Sequence, residues 1–243
     1  MATGNPIFVF IPGAWHTADK YNGLRSLMAE QGLDFEAIAT PSVGASPPTK
    51  GLHADIEDIE AILRGFVENG RQVVVVTHSY GGIVGVSAVE GLGYAQRTKA
   101  GLTGGVVMVV WVSSFVVKKG QSLLDLLNND GYCYSSEQET VFYSDPAPEE
   151  QRKQIALLKP QPTLSFTEPA LYESWHDIPS MYLYCDKDLG LPLAIQETFA
   201  ATLGNPVTFH VDASHLALFS QPEQVIQGLR VAWEKGREQS QTA

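Results

Sequence analysis

Six short segments of this chain are built almost entirely from apolar residues, and they constrain its fold more than any other feature. Most of them are apolar at every position instead of alternating with polar residues, which predicts strands buried on both faces of a parallel sheet. The predicted strands are Ile7–Ile11, Phe35–Ala39, Gln72–Thr77, Gly105–Val112, Met181–Cys185 and Val207–Val211.

Helix-length segments separate these strands. In one of them Leu52, Ile56, Ile59, Leu63 and Phe66 recur every three or four residues and form a single apolar stripe. The other predicted helices are Lys20–Gln31, Gly82–Leu92, Pro192–Thr202 and Pro222–Glu238. This alternation predicts an α/β fold with a mostly parallel six-stranded sheet and helices on both faces.

The segment from Phe115 to Asp177 breaks the alternation, because it is much longer than a plain crossover needs to be. Its composition predicts short helices near Ser122–Asn129, Glu137–Phe142 and Pro148–Leu158. We therefore expect a core of residues 1–114 and 178–243, with residues 115–177 inserted as a small helical cap. The cap is expected at the carboxyl end of the sheet, where ligands bind in open α/β folds.

Composition and charge exclude several other classes of protein. The 243 residues include 16 basic and 27 acidic ones, and the formal net charge of -11 disfavours nucleic acid and anionic membranes as partners. Cys133 and Cys185 are too few for a disulfide framework or a cysteine zinc site, so we expect reduced thiols. Without a recognisable signal peptide or membrane span, we expect a soluble, cytoplasmic protein with a small-molecule substrate, no metal and no cofactor. The sequence leaves open whether the protein forms a homodimer.

The strongest catalytic signal follows the third predicted strand. There the run Thr77–Gly82 (T-H-S-Y-G-G) leads from β-branched residues into a helix-compatible segment. This context predicts a nucleophile elbow that presents the Ser79 hydroxyl above the sheet, although Thr77 stands where such elbows usually have glycine. Ser42 lies in a similar T-x-S-x-G pattern, but Pro47 and Pro48 prevent a helix from starting after it.

A serine nucleophile needs a histidine base and an acid that orients the base. His215 is the candidate base, because it follows the last predicted strand at the edge of the sheet where Ser79 is expected. Asp188, in the loop after the fifth strand, is the candidate acid. Asp186 is the reserve, and Asp212 is disfavoured because it lies only three residues from His215.

The loop after the first strand, Pro12–His16, is the candidate oxyanion hole. Gly13 allows the backbone to turn, and the amides of Ala14 and Tyr80 would donate to the developing negative charge. His16 lies in this loop with no evident acid partner. The residues expected to line an apolar substrate pocket are Gly13, Trp15, Phe115, Tyr132, Phe142 and Leu216.

These motifs resemble the α/β-hydrolase superfamily over nearly the whole chain. The most similar members are compact ones: plant methylesterases, hydroxynitrile lyases, and bacterial and fungal esterase-like proteins. The resemblance is carried by the chain order Ser79, Asp188, His215 and by residues 12–16, 78–82, 142–145, 185–192 and 212–219. It implies an α/β-hydrolase fold and a cofactor-independent serine hydrolase that acts on a small apolar ester, lactone or thioester through an acyl-enzyme.

Two other activities fit the same motifs. The serine and histidine could instead move protons in a cyclase, a lyase or a C–C bond-cleaving enzyme of natural-product metabolism. The fold could also serve as a small-molecule receptor. Hydroxynitrile lyases carry a lysine directly after the catalytic histidine, whereas this chain has Leu216, which favours hydrolysis over cyanohydrin cleavage.

Overall fold

The computed structural model describes residues 5–127 and 138–242, and its centre is one six-stranded parallel sheet. The strands are β1 (Ile7–Ile11), β2 (Asp34–Ala37), β3 (Gln72–Ser79), β4 (Gly105–Ser114), β5 (Ser180–Cys185) and β6 (Val207–Val211). They lie in the order β2-β1-β3-β4-β5-β6, and every neighbouring pair is parallel. The sequence-based prediction of six strands and a parallel sheet is confirmed.

Helices of very different length cover the sheet and form the connections between its strands. In the described part of the chain they are α1 (Asn22–Glu30), α2 (Leu52–Glu68), α3 (Gly81–Ala88), α4 (Tyr94–Lys99), α5 (Leu123–Leu127), α6 (Gln138–Val141), α7 (Pro148–Ala156), α8 (Leu164–Thr167), α9 (Leu193–Thr202), α10 (Ala217–Ser220) and α11 (Pro222–Thr242). Residues Ala18–Tyr21 and Ser174–His176 form short 3-10 helices.

Two apolar cores lie on opposite faces of the sheet, because successive side chains of a strand point to opposite sides. On β3, Val73 and Val75 pack in the core that contains the apolar faces of α2 and α3. Val74 and Val76 pack in the other core, together with α1 and α11. Strands β1, β3, β4 and β5 are buried at every position, whereas the edge strands β2 and β6 are partly exposed.

The apolar stripe of α2 faces the sheet as predicted, with one exception at its end. Leu52, Ile56, Ile59 and Leu63 are buried, but Val67 takes the last buried position and Phe66 is only partly buried. Asp55 lies on the same buried face and is fully enclosed.

The segment between β4 and β5 holds the short helices α5 to α8. Helices α5, α6 and α7 overlap the three predicted ones, although Asn129 and Glu137, at the ends of two predicted ranges, lie outside the described residues. Cys185 is buried with a free thiol, and Cys133 also lies outside the described residues. In the parts of the chain that are described, no helix has both the length and the apolar character needed to cross a membrane.

Candidate active site

Ser79 lies at a sharp junction between β3 and α3. Its φ of 51° is in the left-handed region, which a residue other than glycine rarely adopts and which is typical of strained functional turns. The carbonyl of Ser79 accepts hydrogen bonds from Ser114 Oγ (2.9 Å) and from the amide of Phe115 (3.3 Å). The local geometry is therefore the strand–turn–helix arrangement expected of an elbow.

Asp188 and His215 form a buried pair at the carboxyl edge of the sheet. His215 Nδ1 lies 2.6 Å from Asp188 Oδ2, and the two residues are 3% and 4% exposed. The other carboxylate oxygen, Oδ1, accepts the amides of Gly190 (2.7 Å) and Leu191 (2.8 Å), and the hydroxyl of Ser113 donates to Oδ2. These donors fix the plane of the carboxylate, and so the direction in which the imidazole points.

The two other aspartates considered from the sequence have partners outside this pair. Asp186 Oδ1 lies 2.8 Å from His210 Nδ1, and Asp212 Oδ2 accepts a hydrogen bond from Lys187 Nζ at 2.8 Å. Of the three candidates, Asp188 is therefore the one that contacts His215.

His78, the residue directly before Ser79, contacts the loop that holds His215. Its Nε2 donates to the carbonyl of His215 at 2.8 Å, and the centroids of the two rings are 4.7 Å apart. Burial, with smaller contributions from His215 and His16, lowers the pKa of His78 well below its usual value, so the ring is neutral. This contact brings the loop of His215 against the elbow.

The loop after β1 turns sharply beside the elbow. The amide of His16 donates to the carbonyl of Gly13 at 3.3 Å, and Trp15 within this turn has a φ of 64°. A Cβ on Gly13 would lie 2.8 Å from His78 Nδ1 and 3.2 Å from Ser79 Cβ. Glycine is therefore required for this loop to approach the elbow.

His16 belongs to a second buried network, next to the first. Its Nδ1 donates to the carbonyl of Ala14 at 2.6 Å, and its Nε2 accepts from the Tyr143 hydroxyl at 2.8 Å. Lys20 Nζ lies 3.4 Å from the same hydroxyl. Burial, followed by the charge of Lys20, lowers the pKa of His16 to about 3, so this ring is a neutral structural link. No group of three His, Cys, Asp or Glu side chains within residues 5–127 and 138–242 is arranged to hold a metal ion.

Three of the predicted pocket residues gather around His215. The ring of Phe142 lies 5.4 Å from the imidazole and 5.7 Å from the ring of Trp15, and Leu216 packs in the same cluster as Phe142. Phe115 instead packs its ring against Phe199 at 5.9 Å. Tyr132 lies outside the described residues.

The insertion is also tied to the loop that carries His215. Asp145 Oδ2, in the segment between β4 and β5, accepts hydrogen bonds from the amide of Ser214 and from the Ser220 hydroxyl. Residues 142–145 carry part of the resemblance found in the sequence, and they supply both an aromatic neighbour of His215 and this anchor for its loop.

Sequence reasoning missed two polar residues of the site. Ser113, at the end of β4, carries no sequence signal of its own, yet its hydroxyl contacts Asp188 and its φ is 38°. Asp55 accepts the hydroxyls of Ser42 and Tyr80, both at 2.6 Å. A carboxylate in the apolar stripe of α2 is the signal that could have revealed it, because a buried acid requires partners.

Comparison with known proteins agrees with this architecture. A family model described as the alpha/beta hydrolase family matches residues 8–227. The alpha/beta hydrolase nvfD of Aspergillus novofumigatus is 28% identical, with 93% of this chain and 96% of that protein covered. The crystal structure of polyneuridine aldehyde esterase has a TM-score of 0.75 at 15% identity, covering 93% of this chain and 98% of that one. The methylesterase MES16 from Arabidopsis has a TM-score of 0.70 at 20% identity, covering 94% and 99%.

These matches confirm the fold and the resemblance found in the sequence, including the likeness to plant methylesterases. The solved structures share the fold, and the family model spans most of the chain. This protein is a member of the alpha/beta hydrolase family.

Proposed function

We propose that this protein is a cofactor-independent serine hydrolase of small apolar esters, lactones or thioesters. The observation that carries the proposal is the buried Asp188–His215 pair and its link to the elbow. The carbonyl of His215 accepts a hydrogen bond from His78, which directly precedes the strained Ser79. Family membership and esterase neighbours support the same class of reaction.

In this mechanism Ser79 is the nucleophile and His215 is the base. Because His215 Nδ1 donates to Asp188, the neutral ring offers Nε2 as the proton acceptor. The Ser79 oxygen bonds to the substrate carbonyl carbon while its proton passes to Nε2. The leaving alcohol or thiol then takes this proton, and the acyl group remains on Ser79.

The second half of the reaction uses water in the same way. His215 removes a proton from water, the resulting hydroxide attacks the acyl carbon, and the acid product leaves as Ser79 recovers its proton. The amides of Ala14 and Tyr80 are assigned to hold the negative oxygen formed in both halves. Tyr80 is the residue before the first turn of α3, where the unpaired amides of a helix favour negative charge.

Residues 115–177 are assigned as the cap over this site. Phe142 from this segment lies against His215, and Trp15 is packed between Phe142 and Phe166, whose rings lie 5.7 Å and 5.9 Å from its own. An aromatic enclosure of this kind favours apolar acyl or alcohol groups and excludes water from the reacting bond.

Hydrolysis of a panel of aryl esters, lactones and thioesters tests the proposal. The wild-type protein is expected to turn over at least one of these classes, and Ser79→Ala is expected to lower its kcat by roughly 10⁴- to 10⁶-fold. Ser26→Ala, the same change at an exposed serine of α1, is the matched control, with circular dichroism to verify the fold of each variant. Turnover that survives Ser79→Ala would contradict the mechanism. Ligand binding without consumption would favour the receptor alternative.

A further inference from the structure

Trp15 is held in a conformation that its side chain disfavours. It is the third residue of the turn Gly13–His16, with a φ of 64°, at a position where turns with a left-handed residue normally have glycine. The carbonyl of Gly13 is held by the His16 amide. Because the peptide is trans and planar, the Ala14 amide must point the opposite way. The direction of the Ala14 amide therefore depends on this turn.

The segment between β4 and β5 supplies the contacts that hold Trp15. The Trp15 amide donates to Gln161 Oε1 at 3.0 Å, and the Trp15 carbonyl accepts from the Lys159 amide at 3.0 Å. Both polar backbone atoms of the left-handed residue are thus bound by residues that lie two positions apart in the chain. A conformation of this kind persists only where its surroundings over-determine it.

Gln161 is itself fixed by a chain of hydrogen bonds that leads to the buried Asp55 carboxylate. Its Nε2 donates to Ser42 Oγ at 2.9 Å, and Ser42 Oγ donates onward to Asp55 Oδ2 at 2.6 Å. Since Ser42 Oγ must accept from the amide nitrogen, the amide oxygen of Gln161 is the atom left to face Trp15. Tyr80 Oη also donates to Asp55 Oδ2 at 2.6 Å, so one carboxylate anchors both sides of the assigned oxyanion hole.

We propose that Gln161 is a positioning residue for the oxyanion hole. It selects the left-handed conformation of Trp15, and thereby directs the Ala14 amide towards the carbonyl that Ser79 attacks. This inference rests on the proposed serine hydrolase function. It makes the insertion a part of the catalytic machinery as well as a cover, because a side chain of the insertion sets the geometry of a core loop.

The test measures the effect of Gln161→Leu on kcat in two backgrounds, the wild-type protein and a Trp15→Gly variant. In the wild-type background, Gln161→Leu is expected to lower kcat on an aryl ester by about 10- to 100-fold. This loss is smaller than the roughly 10²- to 10³-fold loss caused by removing one donor of an oxyanion hole. KM is expected to stay within about threefold, since the hole acts mainly in the transition state. The rate of phosphonylation by a fluorophosphonate should fall by the same factor as kcat.

The second background is Trp15→Gly, in which the left-handed conformation needs no external support. There Gln161→Leu is expected to lower kcat by less than about threefold. Gln121→Leu, the same change at an exposed glutamine of the insertion, is the control for nonspecific effects. If Gln161→Leu does not fold, Gln161→Met, which keeps the length of the side chain, replaces it in both backgrounds.

Two results would overturn the inference. One is a Gln161 variant with the wild-type kcat and phosphonylation rate. The other is an equal loss in both backgrounds, which would mean that Gln161 acts independently of the Trp15 conformation. A wild-type protein that neither hydrolyses esters nor reacts with the fluorophosphonate would instead contradict the proposed function, so the two failures are distinguishable.

Discussion

Asp188 is held by four hydrogen bonds, and only one of them comes from the imidazole that it orients. Its Oδ1 is occupied by the amides of Gly190 and Leu191, while Oδ2 accepts from both His215 and Ser113. Ser113 therefore restrains the oxygen that faces the base. A hydroxyl at this position acts through the acid and not on the substrate.

Ser113→Ala is expected to lower kcat/KM on an aryl ester by about tenfold. The lost hydrogen bond is to a buried charged group, which is worth about 1.5–3 kcal/mol, and about 1.4 kcal/mol of lost orientation is a factor of ten in rate. The measurement is steady-state kinetics, with Ser180→Ala as the matched control. Ser180 Oγ contacts Ile178 at the opposite end of β5. Wild-type activity in Ser113→Ala would refute the role of this hydroxyl.

His16 makes stability depend on pH in a defined direction. Its pKa is about 3 in the folded protein because of burial, against about 6.5 in the unfolded chain. Between these values the unfolded chain binds a proton that the folded protein does not. The contribution of the neutral ring is therefore complete above about pH 6.5 and is lost progressively as the pH falls towards 3.

His16→Gln is expected to make the free energy of unfolding less sensitive to acid. Below about pH 6, the slope of that free energy against pH should fall by up to about 1.4 kcal/mol per pH unit relative to wild type. Urea denaturation at a series of pH values measures it, and the two proteins should have the same slope between pH 7.5 and 8.5, which is the internal control. Equal slopes at pH 4–6 would show that His16 is protonated in the folded state.

The elbow leaves no room for a side chain at Gly81. A Cβ on Gly81 would overlap the carbonyl oxygen of Ile11, the last residue of β1, and lie 2.8 Å from that of Pro12 in the loop that follows, and neither backbone atom can rotate away. Helix α3 can therefore approach β1 only through a residue without a side chain. This requirement concerns how α3 packs on the sheet and is independent of the chemistry of Ser79.

Gly81→Ala is expected to lower the free energy of unfolding by about 2–3 kcal/mol, the typical cost of overpacking. Gly23→Ala in α1 is the matched control, because a Cβ there meets no atom within 4 Å and alanine is the better helix former. That control should be neutral or more stable by up to about 1 kcal/mol. Urea denaturation measures both variants, and equal stabilities would contradict the packing argument.

The elements that sequence could predict are those with strong periodicity. The four central strands are buried at every position and mostly apolar because both of their faces are covered, and α2 shows its stripe over four turns. Helix α4 has only six residues and α8 and α10 have four each, too few to display a 3.6-residue period. Helix α3 was predicted to extend to Leu92 but ends at Ala88, since an apolar run gives no sign of where a fully buried helix stops.

The candidate site was predictable only in part, for a related reason. Ser79 ends a strand, and Asp188 and His215 each follow one, so the topology of a parallel sheet places them at one edge. Gln161 and Tyr143 belong to the insertion, whose contacts with the core depend on tertiary packing. No local pattern in the sequence predicts that Gln161 binds the backbone of Trp15.

Across the whole molecule, the segment between β4 and β5 is fastened to two of the loops that the proposed mechanism uses. Gln161 and Lys159 bind Trp15, Pro160 accepts the Gly44 amide at 2.8 Å, and Asp145 holds the loop of His215. Parallel strands bring the proposed reactive groups to one edge, and this segment holds the loops of Trp15 and His215 beside them. The central claim is that this arrangement turns one hydroxyl, that of Ser79, into a nucleophile.

The most direct test is to treat the folded protein with a fluorophosphonate and locate the adduct by peptide mass spectrometry. The account predicts one adduct, on Ser79, that is absent from Ser79→Ala and from urea-unfolded protein, and that forms orders of magnitude more slowly in His215→Ala. A folded wild-type protein that takes up no label, or takes it up at Ser42 or another residue, would contradict the account.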